Sequence, residues 1–156
     1  MDSLHQYLTR RMPAAYRELR RVLEGVDAEQ ARVGAEAGYR HYRFGYGLDG
    51  SIEGIVRHVT GWKHVNAVGL ATGVWPSPEE TPGAKADWEE LLEALAEGQA
   101  ALERELVRRA PEDLSETVTY YGKAIAVADI LAHLLEHDQY HAGQICLLRQ
   151  QRDDEF

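Results

Sequence analysis

Histidine spacing is the feature of this chain that most directly suggests chemistry. Three of the seven histidines lie within the segment HLLEHDQYHAGQI, residues 133–145, at positions 133, 137 and 141. On an α-helix, residues four apart lie in one row along the helix. Such a row is either a solvated stripe or a set of ligands, because imidazole nitrogens bind zinc and other late first-row metal ions well.

The three histidines are predicted to differ in how they face a folded core. At about 100° per residue, His141 lies at the centre of an apolar stripe and His137 lies about 40° from it. His133 lies about 80° off centre, at the edge of the stripe. The row also rises roughly 12 Å, too far for all three imidazoles to bind one ion. The sequence therefore predicts a buried pair, His137 and His141, and a flanking His133 that is not a ligand.

A further ligand must come from a facing helix, and residues 51–72 supply a candidate. His58 is centred on the apolar stripe of this segment, whereas His64 lies about 120° away. A histidine on an apolar face is often an ordinary core residue with a hydrogen-bonded partner. Burying three unpartnered imidazoles, however, costs about 1–3 kcal/mol for each group. A divalent ion bound by His58, His137 and His141 would remove much of that cost.

Three neutral nitrogen ligands suit zinc, nickel or another late first-row ion. They also leave coordination positions for water or substrate, which is typical of a catalytic metal site rather than a closed structural one. From spacing and facing alone, a metal site and an ordinary set of core histidines remain open alternatives.

The elements that must position these residues are helical. Apolar periodicity predicts helices at about 3–24, 51–72, 85–109 and 124–150, and no strand pattern is strong enough to build a sheet. Ser3 with Gln6 is typical of a capping box, Ser51 of an N-cap, and Pro13 predicts a kink or a helix restart. We therefore expect one all-α domain over residues 1–156, a four-helix bundle. The long connections 25–50 and 110–123 are expected to be functional or to contain short elements.

Composition narrows the functional classes. A net charge of −9 argues against a nucleic-acid partner. No apolar run is long enough for a membrane span, and the first residues lack the apolar core of a secretory signal. A single cysteine, Cys146, excludes an internal disulfide and is typical of a reducing cytoplasm. Cys146 also lies about 140° around the predicted helix from His141, which makes it a poor candidate for a metal ligand or a nucleophile at the same site.

Two residues close to the predicted ligands allow two interpretations each. Asp138 lies about 60° from His141, and its carboxylate either orients a ligand imidazole or pairs with a neighbouring helix. Trp62 follows His58 by one turn and either forms a wall of the pocket or packs in the core.

Residues beside the predicted histidine pair, and others in the connection 25–50, are further candidates for lining or closing the pocket. His133, Tyr140 and Gln144 either line the mouth of the pocket or form a solvated edge. The basic-aromatic cluster YRHYRF, residues 39–44, either closes over the site or forms a packed loop. In the first case Arg40 and Arg43 would bind anionic groups of a substrate or thiol.

Two motifs in the chain carry a family resemblance. SIEGIVRHV, residues 51–59, followed by HLLEHDQYHAGQI resembles the DinB-like family, also called the DinB/YfiT-like metalloenzymes. Members are four-helix bundles with a histidine in the second helix and an H-x-x-x-H pair on a later helix, commonly followed by G-Q-[IL]. The corresponding residues here are His58, the pair His137 and His141, and the run 143–145. Ala142 replaces the Arg or Lys common in relatives, and Tyr140 stands where a further histidine often occurs.

The resemblance implies one divalent transition metal ion, zinc or nickel, held by these three histidines. Some branches of the family are S-transferases or isomerases that act with low-molecular-weight thiols such as mycothiol or bacillithiol. The resemblance therefore implies a small-molecule substrate such as a low-molecular-weight thiol. Relatives are often homodimers, which implies the same assembly for this chain. Two alternatives remain. The protein is a metal-dependent hydrolase, or it is a metal-stabilised binding or stress-response bundle without catalysis.

Overall fold

The computed structural model describes residues 3–34 and 46–153 of the chain. Over these residues five helices and one two-stranded sheet follow in the order α1 Leu4–Leu23, α2 Ala28–Arg32, α3 Ile52–Thr72, α4 Trp88–Arg108, β1 Thr117–Tyr120, β2 Lys123–Ala126 and α5 Val127–Asp153. Short 3-10 turns occupy Pro78–Glu80 and Pro111–Ser115. None of the described helices is both long and apolar enough to cross a bilayer.

Local hydrogen bonds determine where the long helices start. Ser3 and Gln6 form the expected capping box at α1, and the Ser51 hydroxyl accepts a hydrogen bond from the amide of Gly54 at α3. Asp87 and Glu90 form a further capping box at α4. Pro13 lies inside α1, which is one continuous helix, so the predicted restart is absent.

The four long helices surround a common core. Helix α1 packs against α4 and α5, and α3 packs against the same two helices. The buried apolar residues form two clusters, one containing Leu8, Leu102 and Leu131 and the other containing Leu19, Val59 and Ile145. A layer of buried polar side chains, which includes Lys63, Gln99 and Asp138, lies along the same helices between the residues of the two clusters.

The stripes predicted from periodicity are correct with small shifts in register. The period that predicts the helix over 3–24 places Leu4 on the core face, but Leu4 is 51% exposed, whereas Met12 is buried. On α4 the period places Leu92 on the core face, but Leu91 is fully buried and Leu92 is only partly buried. The side chains whose burial differs from the prediction lie at the edge of a stripe, because the burial of an edge residue depends on which helix lies beside it.

The expectation of no sheet is wrong. Residues 117–126 form an antiparallel hairpin in which Tyr120 pairs with Lys123. Tyr121 and Gly122 form its turn with φ values of 47° and 80°, the positive values that two-residue hairpin turns of type I′ need. Strands of four residues contain too few alternations to be recognised by period. The hairpin is the short element expected in the connection 110–123, but its second strand continues to Ala126, so the last helix begins at Val127 and not at about 124. Helix α2 is the short element within residues 25–50.

A tryptophan attaches this hairpin to the helices. The indole N–H of Trp75 donates to the carbonyl of Thr119, and its ring meets that of Tyr120 edge to face at 4.7 Å. The indole also lies against α3 at Gly69, where an added Cβ would lie 1.9 Å from a ring carbon. Gly69 is therefore required for the close approach of the indole to the helix.

We expect Gly69→Ala to lower the free energy of unfolding by about 1–3 kcal/mol, because the new methyl group displaces a packed indole. The matched control is Gly143→Ala, since Gly143 is also helical but has no neighbouring atom within 4 Å of an added Cβ. This control should stabilise the protein by about 0.5–1 kcal/mol through helix propensity. Urea unfolding of both variants measures the two values, and equal stabilities would contradict the packing of Trp75 on Gly69.

Candidate metal centre

Three imidazoles from two helices meet at one point. His58 projects from α3, and His137 and His141 project from α5. The Nε2 atom of His137 lies 2.9 Å from that of His58 and 3.2 Å from that of His141. His58 and His141 are 7% and 2% exposed, and His137 is partly buried. The inward facing predicted for all three histidines is therefore found in the structure.

Hydrogen bonds on the outer side of the rings determine where the lone pairs point. The Nδ1 atom of His58 lies 2.7 Å from the carbonyl oxygen of Tyr46, and Nδ1 of His141 lies 2.6 Å from Oε1 of Gln144. Both partners are acceptors, so each Nδ1 carries the proton and each Nε2 is left with a lone pair. Two basic nitrogens thus face Nε2 of His137, which has a single proton to donate at most.

This arrangement fits a divalent metal ion. Two nitrogens on a tetrahedral ion with bonds of about 2.0–2.1 Å lie roughly 3.3 Å apart, close to the separations of 2.9 and 3.2 Å found between the imidazoles. Without an ion, at least one buried lone pair has no donor. The outer carbonyl partners are also the kind of contact that orients histidine ligands in metal sites. His58, His137 and His141 could therefore hold one metal ion.

Burial keeps these imidazoles neutral. It lowers the pKa of His58, although the hydrogen bond to the Tyr46 carbonyl opposes the shift. Burial, with the other imidazoles close by, lowers the pKa of His137 to about 2. Burial and the proximity of His58 lower the pKa of His141 to about 4. At neutral pH all three rings are consequently in the neutral form, in which one nitrogen is free to bind a metal.

The other histidines of the described chain are placed differently. His133 is exposed, with its ring centre 5.8 Å from that of His137, and it does not join the group of donors. Nε2 of His64 lies 2.8 Å from the carbonyl of Ala94, and Nε2 of His5 lies 3.1 Å from that of Leu106. Both serve as contacts between helices. Cys146 is likewise outside the donor group.

Asp138 pairs with a neighbouring helix, which was one of its two predicted roles. Its carboxylate lies 2.6 Å from the ammonium of Lys63 on α3, and Lys63 also donates to Gln99 on α4 at 2.7 Å. Lys63 and Asp138 are 1% and 3% exposed. Burial raises the pKa of the Asp138 carboxyl, and the ammonium of Lys63 partly offsets this. Sequence reasoning missed Lys63, although a carboxylate on an apolar face requires a cation and α3 has only Arg57 and Lys63 to offer.

A cavity of about 230 Å³ lies against His137. Trp62 forms part of its wall, as one of the two interpretations of this residue predicted, and its ring meets that of His58 edge to face at 6.4 Å. The remaining lining residues are Asn66, Tyr120, His133 and Leu134. Tyr120 comes from the hairpin, so no helical pattern could have placed it here. Of the three flank residues, His133 alone lines this cavity.

The other two flank residues lie on the outer side of His141. The Tyr140 ring centre is 5.1 Å from that of His141, and the Gln144 amide donates to the Tyr140 hydroxyl. Gln144 therefore positions the His141 ring instead of lining the cavity mouth. The cluster YRHYRF, with Arg40 and Arg43, lies outside the described residues.

Comparison with known proteins agrees with the geometry. A family model described as the DinB superfamily matches residues 11–145, a span that includes all three converging histidines. No curated protein matches the chain.

Replacing a single converging histidine should abolish stoichiometric metal binding. We expect wild-type protein, purified without an affinity tag, to contain about one divalent ion per chain, and His58→Ala to contain almost none, because two ligands bind such ions far more weakly than three. Elemental analysis after dialysis measures the ratio. His64→Ala and His133→Ala are the matched controls and should keep their metal. Full metal content in His58→Ala would disprove the ligand assignment.

Breaking the buried ion pair should destabilise the protein strongly. Lys63→Met leaves the Asp138 carboxylate buried without a cation, and we expect a loss of about 3–5 kcal/mol in the free energy of unfolding at pH 8. Adding Asp138→Leu removes the unpaired charge and should restore most of that loss. Urea unfolding of the single and double variants tests this. Equal stability of the two variants would show that the pair does not carry a buried charge.

Proposed function

The chain belongs to the DinB superfamily, and on that premise we propose that it is a metal-dependent enzyme acting on a small molecule. In this proposal His58, His137 and His141 hold one divalent ion, zinc or nickel, within a four-helix bundle of the DinB/YfiT type. The reaction that we favour is thiol-dependent S-transfer.

The observation that carries the proposal is the position of the cavity. It reaches His137 directly, so a molecule inside it would lie beside the converging nitrogens. Among residues 3–34 and 46–153, no other histidine, cysteine or carboxylate joins the three donors. Three protein ligands beside an accessible cavity are typical of catalytic metal sites, whereas structural sites are closed by a fourth protein ligand.

The residues of the chain have separate tasks in this mechanism. A bound divalent ion would supply a Lewis acid that lowers the pKa of a thiol or of water. Tyr46 and Gln144 hold the His58 and His141 rings by their Nδ1 protons. Lys63 binds the Asp138 carboxylate, so this negative charge does not compete for the ligand positions. Trp62 and Tyr120 line the cavity and would keep water from that part of a bound molecule.

The proposed transfer forms one bond and breaks one bond. The thiol sulfur forms a bond to an electrophilic carbon, and the leaving group departs with the electron pair of the broken bond. The thiol proton is taken by a base, and the imidazole of His133, which lines the cavity, is placed to accept it.

Hydrolysis is the second candidate, and the lining of the cavity favours it. Among the described lining residues there is no lysine or arginine to bind the carboxylates of a thiol cofactor. Water needs no such partner. In the S-transfer proposal that task belongs to Arg40 and Arg43.

Cobalt substitution separates these candidates, since cobalt gives the site a visible spectrum. We expect mycothiol, bacillithiol or glutathione to produce sulfur-to-metal charge-transfer bands, and an activated aryl chloride to be turned over afterwards. His141→Ala should lose both signals, while His64→Ala should keep them. A spectrum that no thiol changes, together with ester hydrolysis, would replace S-transfer by hydrolysis. A site that exchanges neither thiol nor water would support a metal-stabilised bundle without catalysis.

A further inference from the structure

The last part of the connection 25–50 lies along α3 beside His58. In this segment, residues 46–49, the carbonyl oxygen of Tyr46 lies 2.7 Å from Nδ1 of His58. A carbonyl can only accept, so this contact assigns the proton of the ring to Nδ1. An added Cβ at Gly47 would lie 3.2 Å from the backbone nitrogen of His58. The segment is therefore close to both the backbone and the ring of this candidate ligand.

Two glycines of α3 make room for the segment. Gly54 and Gly61 are seven residues apart, and both lie within about 60° of His58 around the helix. An added Cβ at Gly54 would lie 2.6 Å from the carbonyl oxygen of Gly47, and one at Gly61 would lie 2.7 Å from Cε1 of Tyr46. Both distances are shorter than packed atoms tolerate. A side chain at either position would therefore push the segment away from the helix.

The segment is held at both of its ends. At one end the ring of Tyr46 packs on Gly61, and its hydroxyl oxygen is buried without a hydrogen-bond partner in the part of the chain that the structure describes. The ring therefore acts through its shape and not through its hydroxyl. At the other end Oδ1 of Asp49 accepts hydrogen bonds from the backbone N–H and the hydroxyl of Ser51, at 2.9 and 2.5 Å. Ser51 is the N-cap of α3, so this end is fixed to the start of the helix.

We propose that Tyr46 is a positioning residue of the candidate metal centre, and that Gly54 and Gly61 are required for its contact with His58. By accepting the Nδ1 proton, the Tyr46 carbonyl keeps the lone pair of His58 on Nε2, the nitrogen that lies 2.9 Å from Nε2 of His137. The inference rests on the metal site of the proposed function, since it explains how one ligand of that site is oriented. Partners that hold ligand histidines in this way typically contribute about 10–100-fold to metal affinity.

The test measures the zinc affinity of the whole chain by competition with a chromogenic chelator. We expect Gly61→Ala to lower this affinity by about 10–100-fold, because the new methyl group displaces the Tyr46 ring and with it the carbonyl. Gly69→Ala is the matched control. It makes the same change on the same helix and also displaces an aromatic ring, but that ring belongs to Trp75. The control should keep the wild-type affinity, so a general loosening of α3 would be recognised by a loss in both variants.

Two replacements of Tyr46 test the ring itself. Tyr46→Phe keeps the ring and removes only a hydroxyl that has no partner in the described structure, so it should bind zinc as the wild type does. Tyr46→Ala keeps the backbone carbonyl but removes the ring that packs on Gly61, and it should weaken zinc binding as Gly61→Ala does. Wild-type affinity in both Tyr46→Ala and Gly61→Ala would show that α3 alone orients His58, and would overturn the proposal.

The protonated nitrogen of the His58 ring provides a measurement that does not depend on zinc. Long-range proton–nitrogen correlation spectra of the metal-free chain distinguish a ring protonated at Nδ1 from one protonated at Nε2. We expect the Nδ1 form in the wild type, Tyr46→Phe and Gly69→Ala, and a mixture of both forms in Gly61→Ala, where the acceptor has moved. A wild-type ring protonated at Nε2 would overturn the proposal even if zinc binds. A wild-type ring protonated at Nδ1 in a chain that binds no zinc would support the contact with Tyr46 and would instead contradict the metal assignment of the proposed function.

Discussion

The buried contact between Lys63 and Asp138 constrains how the long helices are aligned. Two charges removed from water must remain paired, because separating them costs several kcal/mol. A slip of α5 along α3 by one turn, about 5.4 Å, would break the contact of 2.6 Å. Lys63 also donates to Gln99 on α4, and its ammonium lies 5.7 Å from the centre of the Tyr16 ring on α1. The side chain of Lys63 thus reaches from α3 to the other three long helices, at the level between the two apolar clusters.

This alignment brings the histidines together. Asp138 directly follows His137 and precedes His141 by three residues, and Lys63 follows His58 by five. When the ion pair forms, the same turns of α3 and α5 place the three imidazoles within reach of one ion. The two polar sets differ in one important respect. The ion pair is satisfied within the protein, whereas at least one of the converging histidine lone pairs has no donor, which is typical of a site that binds something from outside.

The hairpin provides the remaining wall of the site. Trp75 packs on Gly69 and binds the carbonyl of Thr119, and so holds the first strand against α3. Tyr120 at the end of that strand then lines the cavity beside His137. A connection between helices has in this way become part of the candidate active site, which is common for long loops. The three converging imidazoles depend on the helices, and the cavity beside them depends also on this hairpin.

The sequence by itself determined the features that rest on local periodicity. Helical period and capping residues located the long helices, and counting residues at about 100° each placed His58, His137 and His141 on inward faces and His133 on an edge. The sequence left two possible roles open for Asp138, because its partner lies on another helix and can be identified only from the packing of the two helices. The role of Lys63, the hairpin and the place of Tyr120 in the cavity were decided by the tertiary structure alone. They depend on contacts between residues far apart in the chain, such as Lys63 with Asp138 and Trp75 with Thr119, and a period of 3.6 residues contains no information about such contacts.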